Sequence, residues 1–296
     1  MILAAGFGTR LLPHSGRRPK PLFPLLNEPL LLLTIRRLQR FGFDHIIVNC
    51  HHLRQQVVDQ LRGVAGVVIQ QEETILGTGG GLRRAMPVMR DEPLLVTNGD
   101  IYHLISYHEL YAFHQRTGRS ITLAMHDYPR FNTVPVAAGK VVGFGNEPAD
   151  LPKLAFTGLS VIEPSLLAGI ADGEESCIIA HYRQLLKRGI EIGVYRADHC
   201  FWTDMGTVDD YLQLHGGLLG GTIPRWREFT YQGAEPILVS ETASLSGPAE
   251  LVDWCAVGAV RGRNVSLARC VVWDGLELPD GFAAHDAVIS LVPECR

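Results

Sequence analysis

Ala4-Ala5-Gly6-Phe7-Gly8-Thr9-Arg10-Leu11-Leu12-Pro13, answered after His14–Arg18 by Pro19-Lys20-Pro21-Leu22-Phe23-Pro24, decides how the rest of the chain is read. The stretch follows an apolar start, Met1-Ile2-Leu3, so it stands as a loop at the end of a first strand. Glycines let backbone N–H groups come close to a phosphate, and Arg10 and Lys20 supply the charge to neutralise it. Prolines on both sides of Lys20 restrict the backbone there, which an ordinary solvated lysine does not need. The physical reading is a polyphosphate cradle. Two commoner phosphate motifs are excluded by single positions. A dinucleotide fingerprint needs a third glycine where Leu11 stands, and a P-loop needs Gly-Lys-Ser/Thr where the chain has Gly8-Thr9-Arg10.

Outward from this loop, short apolar runs alternate with amphipathic stretches, which implies parallel strands joined by crossover helices. Strands are expected at residues 2–5, 45–49, 66–70, 94–97, 121–125, 157–162 and 191–195, with 134–144 extending the sheet. Helices are expected at 29–41, 53–61 and from Leu82 to about Met89. Leu30, Leu33, Ile35 and Leu38 carry the helical spacing of the first, and Gly42 is its stop. After Leu219 the pattern changes. Gly216, Gly217, Gly220, Gly221 and Pro224 suggest a linker, and Leu245, Leu251 and Val257 then recur every six residues. Val265 and Val271 repeat the interval after a slip. A hexad of aliphatic residues suggests short coils of a parallel β-helix, with a few irregular strands as the alternative. The expected domains are residues 1–221 and 222–296.

The chain has 296 residues, 46% hydrophobic and 20% charged, the composition of an ordinary globular protein of one large α/β domain with a small appendix. A formal net charge of −4 without a basic stripe argues against nucleic acid as a partner. No apolar run approaches the roughly 18 residues of a membrane span, and no signal-peptide pattern opens the chain. Six scattered cysteines without a C-x-x-C exclude a zinc ribbon or a dense disulfide framework, and suit a reducing cytoplasm.

Three further constellations carry chemistry. Asp100 closes the apolar run Leu94–Thr97 in Asn98-Gly99-Asp100, where open α/β sheets place ligands. Asp204 stands in Trp202-Thr203-Asp204-Met205-Gly206-Thr207. Two such carboxylates suit one Mg²⁺, a hard cation, although each alone also suits a cap or turn. Leu76-Gly77-Thr78-Gly79-Gly80-Gly81 precedes a helix and lets backbone approach a flat ligand, or is simply a Gly-rich turn. His103, three residues after Asp100, is a candidate substrate contact or an ordinary loop histidine.

Together the motifs resemble the signature of the sugar-1-phosphate nucleotidylyltransferases, G-x-G-T-R-L-x-P…P-K-P-L with N-G-D and W-x-D-x-G-T in order. The resemblance implies a Rossmann-like mixed or parallel α/β sheet, with the hexads as a small left-handed β-helix-like segment. It implies transfer of a nucleotidyl group from a nucleoside triphosphate to a sugar 1-phosphate. Arg10, Lys20 and Asp100 would be catalytic, and Asp100 and Asp204 would hold Mg²⁺. Ala4, Ala5, Gly6, Gly8, Thr9, Glu72, Gly77 and Thr78 would bind nucleotide; Asn98, Gly158 and Lys153 would bind the sugar phosphate. Glu72, five residues before Gly77, would read the base edge; a carboxylate accepts from a ring N–H, which suits guanine best and leaves uracil open. One element departs from the family. The lysine of an E-K-P is missing from Gly143-Phe144-Gly145-Asn146-Glu147-Pro148, and Lys153 is the candidate substitute. That departure, with the T-G-G-G run and Phe156–Pro164, resembles N-acetylmuramic acid-1-phosphate uridylyltransferases, whereas the appended hexads resemble mannose-1-phosphate guanylyltransferases. A silent nucleotide-sugar-binding subunit and an acyltransferase built on the hexads are the alternatives, and a homo-oligomer is compatible with either. Family members carry more residues before the first strand than Met1–Leu3, so an upstream translation start is expected.

Overall fold

The computed structural model describes residues 1–145 and 150–291. In chain order the strands and helices are β1 (Ile2–Leu3), β2 (Pro24–Leu25), β3 (Glu28–Pro29), α1 (Leu30–Arg40), β4 (Ile46–Cys50), α2 (Arg54–Leu61), β5 (Val67–Gln71), α3 (Gly77–Ala85), β6 (Leu94–Asn98), β7 (Ile101–His103), α4 (Tyr107–Thr117), β8 (Ile121–His126), β9 (Val134–Ala137), β10 (Lys140–Val141), β11 (Lys153–Ile162), α5 (Ile178–Lys187) and β12 (Ile192–Arg196). Then follow β13 (Trp202–Asp204), α6 (Val208–Leu219), β14 (Ile237–Val239), β15 (Ser244–Ser246), β16 (Glu250–Val257), β17 (Arg261–Arg263), β18 (Ser266–Val272) and β19 (Ala283–Ile289). Contacts divide the chain into two units. One is Met1–Gly6 with Leu38–Trp202; the other is Phe7–Arg37 with the chain from Thr203 onward.

The first unit is built on a nine-stranded mixed sheet of order β5-β4-β1-β6-β11-β8-β12-β10-β9. Strands β4, β1 and β6 are parallel, and the long β11 runs antiparallel to both β6 and β8. β4 is buried at all five positions, which is why Ile46-Ile47-Val48 reads as a continuous apolar run. β1 has only two residues, yet it has a parallel neighbour on each side: Ile2 stands beside Val48 and Thr97. The sheet order reverses at β1, so the crevice beyond its carboxyl end is the switch point where such sheets take ligands. Leu82, Ala85, Ile178, Tyr182 and Leu185 from α3 and α5 pack with Val96, Leu123 and Met125 of the sheet in one core.

The segment 134–144 extends the sheet as expected, as a hairpin of β9 and β10 turning through Ala138 and Gly139, both at positive φ. One expectation is corrected in this unit. The third helix begins at Gly77, not Leu82, and ends at Ala85, where Pro87 tightens the chain into a single 3-10 turn. The glycine run is therefore the first turn and a half of α3.

In the second unit, β14, β16, β18 and β19 form a parallel four-stranded sheet, and β15 and β17 form a parallel pair. Ile237 stands beside Cys255, Ser244 beside Arg261, Cys255 beside Cys270 and Ser266 beside Ala283, so equivalent positions recur every roughly 15–18 residues. Corners recur with them. Asp253, Arg269 and Asp286 all take left-handed backbone, with φ of 62, 51 and 49°. Arg269 bridges the two acids: its Nε and Nη2 donate to Asp286 at 2.6 and 2.7 Å, and its Nη1 donates to Asp253. Cys255, Val257, Val265, Leu267, Cys270, Val272 and Ile289 fill the interior. Val271, the last hexad residue, is buried but lies outside that cluster, because the stack does not keep a strict six-residue step.

The proposed linker is also corrected. Gly216 and Gly217 lie within α6, and a Cβ on Gly216 would stand 2.9 Å from the Trp254 indole nitrogen. These glycines are packing surface rather than hinge. No helix among the described residues is long and apolar enough to cross a membrane.

Candidate active site

The sequence-predicted residues fall into two groups, one in each unit. In the second unit, the cation loop folds as three single 3-10 turns, Thr9–Leu11, His14–Gly16 and Lys20–Leu22. Gly8 sits at φ +63, a conformation a side chain resists, and a Cβ there would meet the Cβ atoms of Ser15 and Lys20 at 3.3 and 3.5 Å. The loop thus doubles back until Gly8 touches Lys20. Pro19 is extended, and Phe23 N–H donates to the Lys20 carbonyl at 3.0 Å, closing the turn. Lys20 is only 6% exposed, so the restriction expected from its prolines comes with burial of the stem. Arg10 is the opposite case. Its side chain is 62% exposed, and its Nη2 lies 3.8 Å from Asp204 Oδ2. An exposed pair at that distance contributes little to stability and leaves the guanidinium able to exchange partners. A Cβ on Gly206 would stand 2.8 Å from Asp204 Oδ2 and 3.1 Å from Arg10 Nη1, so this glycine gives the pair its room. The structure brings Gly8 to Lys20 and Arg10 to Asp204.

In the first unit, three strand ends meet at the switch point. Ala4 N–H donates to Asn49 Oδ1 at 2.8 Å, and Gly99 N–H donates to the Leu3 carbonyl at 2.8 Å. Ala4 and Ala5 are buried, while around Gly6 nothing lies within 4 Å of where a Cβ would stand. Asp100 follows Gly99 in the turn that ends β6, half-buried. Asn98, the last residue of β6, is brought to Gly158. That glycine lies at φ +79 where the β11–β8 register shifts between Phe156 and Ser160, and a Cβ on it would stand 2.5 Å from Asn98 Nδ2. Lys153 is not brought to them. It opens β11, five residues from Gly158, or about 16 Å at the usual rise per strand residue. Asn146, Glu147 and Pro148, which carry the departure from E-K-P, lie outside the described residues.

Glu72 is placed differently from the expectation of an edge-reading carboxylate. It is 0% exposed. Its Oε1 accepts from Asn49 Nδ2 at 2.8 Å and Gln70 Nε2 at 3.3 Å, and its Oε2 accepts from Leu76 N–H at 3.2 Å. Burial first, and the Glu72 charge second, push the neighbouring Cys50 thiol up to about 11. Glu72 and Asn49 thus tie the ends of β1, β4 and β5 to the start of α3. Sequence reading missed Asn49; its signal was a lone amide closing an otherwise apolar strand.

The glycine run is also occupied by protein. Gly79 N–H donates to the Ser176 carbonyl at 2.7 Å, Ser176 N–H donates to Leu76, and Thr78 Oγ accepts from Ile178 N–H at 3.0 Å. A Cβ on Gly81 would meet Asn49 Nδ2 at 2.8 Å and Glu72 Oε1 at 3.0 Å. The close approach these glycines allow is made by the chain itself. His103 is a core residue, 1% exposed and edge-on to Tyr107 at 5.2 Å, not a loop histidine.

Among the described residues no three His, Cys, Asp or Glu side chains gather as a metal cage. Mg²⁺ does not need one, since it binds through one or two carboxylates with phosphates and waters. Asp100 in the first unit and Asp204 in the second are each an oxygen donor of that kind.

Comparison with known proteins bears on the family and the fold. The family model described as nucleotidyl transferase matches residues 1–219. The mannose-1-phosphate guanylyltransferase of Mycobacterium tuberculosis is 28% identical over 95% of this chain and 81% of its own length. The N-acetylmuramate alpha-1-phosphate uridylyltransferase of Neisseria meningitidis is 29% identical over 70% of this chain and 93% of its own. The fold matches the crystal structure of HddC from Yersinia pseudotuberculosis complexed with GMP-PN. There the TM-score is 0.62 and the identity 20%, over 72% of this chain and 96% of the other.

Proposed function

The chain belongs to the nucleotidyl transferase family, and from that premise we propose that it makes a nucleotide sugar and pyrophosphate from a nucleoside triphosphate and a sugar 1-phosphate. The nucleophile is a sugar-phosphate oxygen, already ionised at neutral pH, so the chain needs no general base. It attacks the α-phosphorus in line, that P–O bond forms, and the bond to the leaving pyrophosphate breaks. Catalysis is then alignment and charge stabilisation. Lys20, its stem buried and its backbone clamped, is a preset cation for the phosphates. Arg10 exchanges Asp204 for a phosphate. The Gly6 backbone, open to close approach, and the Gly8-Thr9 turn line the triphosphate; Asn98 and Gly158 line the sugar phosphate. Lys153 is a candidate only for a sugar extending along β11. Asp100 and Asp204 would hold Mg²⁺, which when bound offsets the charge of the phosphates. Glu72, Gly77 and Thr78 support the nucleotide by fixing the start of α3.

Of the two substrate types, mannose 1-phosphate with GTP is favoured by one observation. The guanylyltransferase relative aligns over 95% of the chain, which extends it into the C-terminal strands, whereas the uridylyltransferase aligns over 70%. The recurring corners favour reading those strands as a short left-handed β-helix. Five free cysteines among the described residues suit a reducing cytoplasm.

The test is pyrophosphate release from GTP or UTP with mannose 1-phosphate or N-acetylmuramate 1-phosphate, with and without Mg²⁺. GTP with mannose 1-phosphate should give the highest kcat/KM, and Lys20→Ala or Asp100→Asn should lower it roughly a hundredfold or more. UTP-specific turnover selects the other type; no release from any pair, or near-full activity in both variants, sinks the reading.

A further inference from the structure

We propose that Trp273 is a positioning residue for Lys20, so that the C-terminal strands serve catalysis by holding the cation loop. The inference rests on the reading of Lys20 given above.

Three successive layers of the strand stack hold the loop, all at the same corner. At the end of β16, the Val257 carbonyl accepts from Asn27 Nδ2 at 2.9 Å. One layer on, after β18, Asp274 Oδ1 accepts from Arg18 Nη2 at 2.9 Å, and Trp273 packs between two loop side chains. In the next layer, Ser290 Oγ is hydrogen-bonded to His14 Nδ1 at 2.7 Å. The loop from His14 to Asn27 therefore lies along a span of about 10 Å, two strand spacings, that is fixed by backbone pairing.

Trp273 matters most because of where its partners fall. The Arg18 guanidinium lies 4.9 Å from the centre of its ring, and the Phe23 ring meets it edge-on at 4.7 Å. Arg18 is two residues before Lys20 and Phe23 three residues after it, so one indole grips both sides of the turn that carries the cation. Phe23 is fully buried, and its N–H closes that turn on the Lys20 carbonyl. The backbone that carries the indole is itself fixed: the main-chain N–H of Trp273 donates to the Ile289 carbonyl, that of Gly258 to Val272 and that of Gly275 to Ala259, each at 2.8 Å. The turn that carries Lys20 is thus held on both sides, by a cation–π contact at Arg18 and an aromatic pair at Phe23. A cation preset in this way needs no reorganisation when charge develops.

The test compares Trp273→Ala, Trp273→Phe and Leu267→Ala in the full chain. Leu267 is buried inside the stack, in a cluster that includes none of His14, Arg18, Phe23 and Asn27, so its truncation should lower stability without removing the grip. Hydrogen exchange of a peptide spanning residues 14–27, and kcat and KM for pyrophosphate release, are measured equally far below each melting point. Trp273→Ala should speed exchange there and lower kcat roughly ten- to a hundredfold, with the Phe variant recovering much of both and Leu267→Ala changing neither. Unchanged exchange in Trp273→Ala, or an equal effect in Leu267→Ala, overturns the proposal. Should Trp273→Ala fail to fold, Asp274→Ala removes the Arg18 anchor alone and decides by the same comparison. If wild-type chain releases no pyrophosphate from any pair, the catalytic reading fails by itself, and the exchange comparison still decides the grip.

Discussion

Replacing Gly80 by alanine separates two explanations of the glycine run by the sign of one measurement. An alanine inside a helix is more stable than glycine by about 1 kcal/mol, and Gly80 is in α3 with helical backbone. If the position is kept bare for a ligand, the ligand-free variant should gain that amount. The structure places the Glu174 carbonyl oxygen well under 3.0 Å from the new Cβ, and the Leu76 Cβ at 3.1 Å. A backbone oxygen cannot rotate away. The segment Glu174–Ile178 must move by most of an ångström, and four hydrogen bonds tie it to α3: Gly79 and Gly80 to Ser176, Ser176 to Leu76 and Ile178 to Thr78. Overpacking of this kind costs about 1–3 kcal/mol, and strain in bonds of about 1 kcal/mol each adds to it. The net expectation is a loss of about 2 kcal/mol, hence roughly 4–8 °C in Tm for a chain of this size. Thermal unfolding without nucleotide, followed by circular dichroism, reads it. An unchanged or raised Tm, with a higher KM for the triphosphate, would refute the packing explanation.

Gly158→Ala should lower stability by about 2 kcal/mol or more, since a Cβ pays the left-handed penalty and meets Asn98 Nδ2 at 2.5 Å. Its kcat should fall further than its Tm explains, because Asn98 is displaced. His215 is fully buried, and burial lowers its pKa to about 4. The unfolded chain then binds the extra proton between about pH 4 and 6.5. Stability should therefore rise with pH across that window, by about 3 kcal/mol, and be complete above it. In His215→Gln that slope should flatten; an unchanged slope assigns it to other groups. The Arg269 guanidinium holds the Asp286 carboxyl down to about 2. In Arg269→Met, an NMR titration should find Asp286 back near the ordinary carboxylate value of about 3.9; no change would dissolve the ladder.

The parallel core was legible because buried strands are continuous apolar runs and a glycine loop, Gly6 to Gly8, follows β1 closely; all of Ile46–Val48 and Leu94–Thr97 fell where those runs put them. The antiparallel β11 was not, since a single buried strand has the same composition in either direction. Lys20 and Asp100 could be found from local sequence, because a proline clamp and a strand end are local facts. The engagement of Glu72 with Asn49 could not, because it joins positions 23 residues apart along the chain. Gly216 and Gly217 misled for a related reason. Glycine marks both a break and a place where something large packs, and only Trp254 shows which.

The family model ends at residue 219, which looks like a seam at which the chain could be divided. The grip of Trp273 on Arg18 and Phe23 says otherwise. A fragment ending at that seam would keep Lys20 and lose the indole that packs on Arg18 and Phe23, presenting more of Phe23 to water in the segment proposed to meet the phosphates. The heritable part is thus discontinuous: residues 14–27 and the corner at 257, 273–274 and 290 form one graft. A chimera that exchanges the C-terminal strands with those of a relative should work only when the loop from His14 to Asn27 travels with them.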